Sequence, residues 1–341
     1  MEGVICEHIW HKYGERMLLR DITLPLQPGS ILCLLGGEGE GKTTLLRILT
    51  GEIAPSGGTV HADGVLLAQE ELLHARLTAE ENLLRALRVR GADKILTQDR
   101  YARLAELFSL ESCSHVPCKS LSHSQKERLT IACAVARRPK LLLLDAPMCM
   151  DALQEPLRLL AAESGMTVLF TANDPAALRC ADLVALLSDG RIAQCDAPEN
   201  VCAKPATLLC AQFLFPCNTL RGTVTGVRKH GEKCILDMGG LEMDCLCDAA
   251  PEVDDPMTLC IRCDRVHIAR SPLPFGQNVS AAVTSVSYSL GVEWITALLQ
   301  NGQSVSACRH AEKISKLETG DKVFLCWDPH AAWLYPDAPV I

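Results

Sequence analysis

The run Gly36-Gly37-Glu38-Gly39-Glu40-Gly41-Lys42-Thr43 constrains the fold of this 341-residue chain more than any other stretch. It fits G-x-x-x-x-G-K-[ST] without a gap. The apolar run ILCLL leads into it, and TLLRILTG, apolar at helical spacing, leads out. Strand, loop and helix in this order point to an α/β core. In such a loop the backbone N–H groups curl round phosphates, which glycine permits, and the helix N-terminus adds partial positive charge. Lys42 is then placed for the β- and γ-phosphates and the Thr43 hydroxyl for Mg²⁺, with Thr44 following in the first helical turn. Glu38 and Glu40 put two carboxylates into an anion-binding loop, so they are expected to point outward; turned inward, they would repel the ligand.

Two more apolar runs, KLLLLDAPM from Lys140 and MTVLFTAND from Met166, read as buried parallel strands with polar residues at their C-terminal ends, where ligands bind in open α/β sheets. Asp145 ends the first. Between about 76 and 138, ENLLRALRVRG, YARLAELFSL and ERLTIACAVARR carry apolar residues three and four apart, predicting a helical subdomain inserted in the sheet. After Cys217 the chain turns β-rich, in RGTVTGV, KCILDMG, AAVTSVSYSL and KVFLCW, which predicts a compact barrel or sandwich. The expected boundary lies at FLFPCNT, giving domains 1–215 and 216–341.

A net charge of −8 with 4% aromatic residues argues against a nucleic-acid surface, which needs clustered cations and stacking rings. No run of eighteen apolar residues occurs, and the opening MEGVICEHIW lacks the layout of a signal peptide, so any membrane role is expected to be peripheral. The 18 cysteines are scattered, several within apolar runs, which suits free thiols packed as small hydrophobes. Cys245 with Cys247 and Cys260 with Cys263 have spacings that could hold zinc, but both pairs fall in expected strands without Gly-bearing knuckle turns. Packing is the expected role.

With these motifs in order, nearly the whole chain resembles the ATP-binding subunits of ABC importers of the spermidine/putrescine, ferric-iron and maltose type. The resemblance implies a P-loop ATPase domain with an inserted helical subdomain, followed by an oligonucleotide-binding-like TOBE domain that serves regulation or dimer contacts. HKYGERMLLRDITLPLQPGS looks like the family's opening strands, with Tyr13 where an aromatic ring stacks on adenine. LLAQEELLHARLTAEENL resembles the Q-loop, which implies that Gln69 reaches Mg²⁺ and the attacking water. KSLSHSQKERLTIACAVARRPKLLLLDAPMCMDA looks like the signature helix, Walker B strand and D-loop, with Asp145 orienting Mg²⁺ through water. The implied ligands are ATP and Mg²⁺. The implied partners are permease subunits, a second ABC subunit in a head-to-tail dimer and, indirectly, a solute-binding protein. The implied location is the cytoplasmic face of the cell membrane.

Three departures from the family bear on mechanism. Ala146 stands where the general-base glutamate follows the Walker B aspartate. Asn173 replaces the switch histidine, keeping hydrogen bonding but not charge. The signature, usually LSGGQ, reads Leu121-Ser122-His123-Ser124-Gln125, so His123 and Ser124 bring side chains where glycines let phosphate approach. Loss of a general base typically costs about 10²- to 10⁴-fold in rate, or about 3 to 5 kcal/mol of barrier. Asp151, Glu155 and Asp174 are the nearby carboxylates that could substitute. Two readings follow: an energy-coupling subunit with impaired hydrolysis, and a non-hydrolysing regulatory subunit or degenerate half of an asymmetric dimer. A nucleic-acid-binding role for the β domain is disfavoured by the acidic balance.

Overall fold

In the computed structural model, residues 5–61, 64–88, 94–228, 233–247, 251–310 and 317–337 are described. The first four residues of the opening stretch lie outside them. The chain divides into two compact units, residues 1–206 and 207–341.

Among the described residues the first unit has nine strands: β1 (Ile5–Tyr13), β2 (Arg16–Ile22), β3 (Ile31–Gly36), β4 (Gly57–His61), β5 (Val65–Leu67), β6 (Leu141–Leu144), β7 (Thr167–Ala172), β8 (Leu183–Ser188) and β9 (Arg191–Asp196). Its helices are α1 (Lys42–Leu49), α2 (Ala79–Arg88), α3 (Lys94–Leu107), α4 (His123–Ala136), α5 (Met150–Ser164) and α6 (Pro198–Ala203). Six strands form one sheet in the order β5-β6-β7-β3-β8-β9, parallel except for the β8–β9 hairpin. Every residue of β3 and β6 is buried, as continuous apolar runs covered on both faces require. Alternation sorts their side chains: Leu32, Leu34, Leu141 and Leu143 pack on one face with Leu45, Leu46 and Leu49 of α1. A second, antiparallel sheet, β2-β1-β4, contributes Ile9, Leu19 and Ile22 to the same core. Helices α2, α3 and α4 form the inserted layer, as the helical spacing predicts. Buried apolar residues there include Leu83 and Leu87 of α2, Leu104 of α3 and all of α4 from Leu129 onward except the buried Thr130.

The second unit opens with α7 (Leu208–Leu214) and continues as β10 (Cys217–Arg228), β11 (Lys233–Asp237), β12 (Glu242–Leu246), β13 (Pro256–Arg262), β14 (His267–Ala269), β15 (Val279–Ser289), β16 (Val292–Leu299), β17 (Ser304–His310), β18 (Lys322–Cys326) and β19 (Ala332–Pro336). These strands form two five-stranded antiparallel sheets, β12-β11-β10-β13-β19 and β14-β18-β15-β16-β17, around one core. The division at 206/207 precedes the expected 215/216 because Ala211 of α7 packs with Cys260 of β13 and Tyr335 of β19.

Strand pairing also sorts the cysteines. Cys234 lies directly across from Cys245, and Cys217 and Cys260 lie on paired strands. Cys245 and Cys260 therefore belong to different thiol neighbourhoods, and among the described residues no group of three potential ligands can hold a metal ion.

Candidate nucleotide site

The loop from Gly36 to Gly41 leaves the C-terminal end of β3 and enters α1. Two of its glycines are required by what surrounds them. A Cβ on Gly36 would lie 2.6 Å from the Leu187 carbonyl oxygen, and Gly41, at φ +100°, holds a left-handed conformation as the N-cap of α1. No side chain caps α1 and no acidic residue sits in its first turn, so its leading N–H groups are open to an anion. Lys42 is 8% exposed, and its ammonium donates to the carbonyls of Gly36 at 2.8 Å and Gly37 at 2.5 Å. Burial holds its pKa below the usual lysine value, opposed by the charges of Glu40, Asp145 and Glu38. Glu38 is exposed. Glu40 is half-buried and its carboxylate accepts from the Gly190 N–H at 3.4 Å.

Beside this loop stands the end of β6. The Thr43 hydroxyl donates to Asp145 Oδ2 at 2.8 Å, and the Thr171 hydroxyl donates to Asp145 Oδ1 at 2.7 Å. The Ala146 N–H in turn donates to Thr171 Oγ1 at 2.8 Å, with Ala146 itself at φ +46°. Lys42, Thr43, Asp145 and Ala146 therefore meet in one place, and Thr171 joins them. The parallel register pairs Leu144 with Phe170, which sets the next residue of β7, Thr171, beside Asp145. That threonine stands inside MTVLFTAND and was legible only once the two runs were known to be neighbours.

The other expected site residues stand on separate elements. Tyr13 is 53% exposed at the end of β1, with its ring edge-on to His11 at 4.8 Å between centroids. Gln69 is exposed ahead of a short 3₁₀ turn, and Asn173 is exposed just past β7. Ser122 caps α4 in a reciprocal box with Gln125: its hydroxyl accepts from the Gln125 N–H at 3.3 Å, and its own N–H donates to Gln125 Oε1 at 2.9 Å. Ser124 accepts from the Cys149 thiol at 3.0 Å, which ties the start of α4 to the loop after β6. Sequence reasoning missed that tie and the role of Glu127, whose carboxylate accepts from the N–H groups of Met148 and Cys149 at 2.8 and 3.0 Å. A cleft of 230 Å³ lies here, lined by Asp145 and Ala146 on one side and His123 and Glu127 on the other.

Two of the three candidate substitutes for a base are engaged elsewhere. Arg179 grips Asp151 at 2.9 and 2.6 Å and holds that carboxyl below the usual aspartate value. Asp174 accepts from the Ala176 N–H at 2.8 Å as a cap. Glu155 is exposed on α5.

A glycine-tight phosphate loop at the carboxyl edge of a parallel sheet, with a strand-end aspartate bonded to its threonine, places the first unit among the P-loop nucleotide-binding proteins. Known proteins narrow the class. The ABC transporter family model matches residues 19–149, and the TOBE domain model matches residues 259–334. The putrescine transport ATP-binding protein PotG of Escherichia coli is 29% identical over 93% of this chain and 90% of its own length. The spermidine/putrescine import ATP-binding protein PotA of Methylococcus capsulatus is 32% identical over 75% of this chain and 71% of its own. Among solved structures, the cbiO1 component of an ABC transporter complex from Clostridium perfringens superposes with a TM-score of 0.53 at 20% identity, covering 60% of this chain and 91% of that one. The chain belongs to the family of ABC importer ATP-binding subunits that carry a C-terminal TOBE domain.

Proposed function

We propose that this subunit binds ATP with Mg²⁺ and couples dimer closure to import of a small solute, while its own hydrolytic step is slow or absent. Ala146 carries the second half of that reading. The residue directly after Asp145 has a methyl group where a carboxylate would accept the proton of the attacking water. The engagement of Asp151 by Arg179 and of Asp174 by its own cap supports it further.

The chain's own residues suit the binding step. The amides of Gly39 to Thr43 form the phosphate cradle, and Lys42 has only to turn from the carbonyls of Gly36 and Gly37 to meet an anionic ligand. Thr43 and Asp145, already within 2.8 Å of each other, are the pair that would hold Mg²⁺, which would neutralise phosphate charge there. Tyr13 offers an exposed ring for adenine, and Gln69 and Asn173 supply neutral polar groups. Ser122, His123, Ser124 and Gln125 would face the phosphates bound by a second ABC subunit. The remaining partners are integral-membrane permease subunits at the cytoplasmic face of the membrane and, through them, a solute-binding protein. No described helix is long and apolar enough to cross a membrane. The names of the relatives favour a polyamine as the solute, a choice made by the permease and binding protein rather than by any residue here.

A second reading, a degenerate half of an asymmetric dimer, is favoured by His123 and Ser124. In a homodimer both composite sites would lack the base and carry the altered signature; with an intact partner, each site would keep one good half.

The test pairs ATP affinity with steady-state phosphate release, measured on the full chain with and without its permease. Wild-type chain should bind Mg·ATP and release phosphate no faster than Lys42→Ala. Ala146→Glu should raise release by about 10²-fold or more. Wild-type release far above the Lys42→Ala control would sink the impaired-hydrolysis reading, and an absence of ATP binding would sink the whole proposal.

A further inference from the structure

A second cavity of the first unit lies away from the phosphate loop, where the same sheet begins. It measures 680 Å³ and is bounded by the segments that lead into β3 (Leu26, Pro28), β6 (Pro139, Lys140) and β7 (Met166, Thr167). Parallel strands have two distinct edges. The phosphate loop and Asp145 occupy the carboxyl edge, and this cavity occupies the amino edge.

Its lining combines two chemistries. Leu104 of α3, Val135 of α4 and Leu160 of α5 give it apolar walls. Among the described residues its charged side chains are Arg100, Arg103, Arg138, Lys140 and Glu163, and the excess of cations rests on Arg100 and Arg138, in a chain whose net charge is −8. Glu163 bonds to Arg103, and Arg100 donates to the Ala136 carbonyl at 3.3 Å, at the end of α4. Burial, with the neighbouring charge of Arg138, lowers the pKa of Arg100, so the cations at this mouth disfavour one another. Arg138 also sits at φ +53°, just past the C-cap of α4, where glycine is the usual residue. The helix end attracts cations, but one arginine already bonds to it. A concave site of this volume with apolar walls and an excess of cations fits a ligand that brings an apolar body and a negative group.

We propose that this cavity binds a small amphipathic anion, an organic carboxylate or phosphate monoester whose apolar part lies against Leu104, Val135 and Leu160 and whose charged group meets Arg100 and Arg138. The site is independent of the nucleotide reading and uses none of its residues.

Calorimetric titration of the full chain, with the phosphate loop saturated by a non-hydrolysable Mg·ATP analogue, tests this with four probes: octanoate, octyl phosphate, octanol and inorganic phosphate. At least one of the two amphipathic anions should bind with Kd below about 1 mM, while octanol and phosphate bind at least tenfold more weakly. Which anion binds better separates a carboxylate ligand from a phosphate ester. Arg138→Gly should weaken the preferred anion about tenfold and leave analogue binding unchanged. Glycine suits the backbone at 138, so this variant keeps its fold, checked by its melting curve. The proposal is overturned if octanol binds as well as the anions, if neither anion binds, or if the Arg138→Gly variant binds them as the wild type does.

Discussion

Asp145 shows how a single carboxylate is set by its neighbours. Two hydroxyls, from Thr43 and Thr171, bond to its two oxygens from different elements, so its position depends on β6, β7 and α1 together. The aspartate was legible in the sequence because it ends four leucines; its second partner was not, because only strand register brings Thr171 beside it. The thiols are likewise sorted by environment. Burial pushes Cys6 and Cys133 up to about 12, whereas a hydrogen bond from the Cys260 thiol, helped by the Arg262 guanidinium, lowers the pKa of Cys217. Since the thiolate is the reactive form, brief iodoacetamide treatment at pH 8 should modify Cys217 ahead of Cys6 and Cys133, read by peptide mass spectrometry. Earlier labelling of the buried pair would refute that order. Asp21 of β2 accepts a 2.7 Å hydrogen bond from the ring of His8 on β1 and, chiefly through it, raises the pKa of His8. The pair's contribution is complete below the unfolded value of about 6.5 and is lost as pH rises through the folded value. Exposure keeps its energetic weight small. Asp21→Asn should lower the His8 titration midpoint seen by NMR, and an unchanged midpoint would remove Asp21 as the cause.

At the scale of elements, the buried strands were the most readable part of the chain. Runs such as ILCLLG and LLLL can be satisfied only between two covering layers, and both are wholly buried. The three-stranded sheet of β2, β1 and β4 was less readable from pattern alone. Left-handed residues at His8 and Asp21, and register shifts beside Ile9 and His11, interrupt the alternation that marks a strand. The start of α4 was legible as a motif, but its anchoring was not: Glu127 and Ser124 hold the backbone and side chain of a loop some twenty residues on. Ser122 is worth a separate measurement because it closes a capping box. Ser122→Ala should cost about 1 kcal/mol of stability in denaturant unfolding. A loss below a few tenths would mean that the box contributes nothing here.

Each of the two units has its own core, one around α1 and the six-stranded sheet, the other between the two five-stranded sheets. The β-rich character of the second was clear from composition, but its start was not, because α7 reads as the tail of the preceding helices until its contacts with Cys260 and Tyr335 are seen. Nucleotide should therefore act on one core. At about one hundred times its Kd, Mg·ATP adds about 2.7 kcal/mol to the state that binds it. In calorimetry that stabilisation should appear in the unfolding of residues 1–206 expressed alone as well as in the full chain. A shift confined to the full chain would show that the first unit is incomplete without the second. Within that first unit, α4 runs from the Ser122 box at one end to the arginine-lined cavity at the other, about 21 Å for its 14 residues. Its last eight residues are buried without exception, which leaves the rod little room to bend. The Ser122 turn and the cavity mouth are thus the two ends of one helix, and the eight buried residues from Leu129 to Ala136 fix the cavity end in the interior.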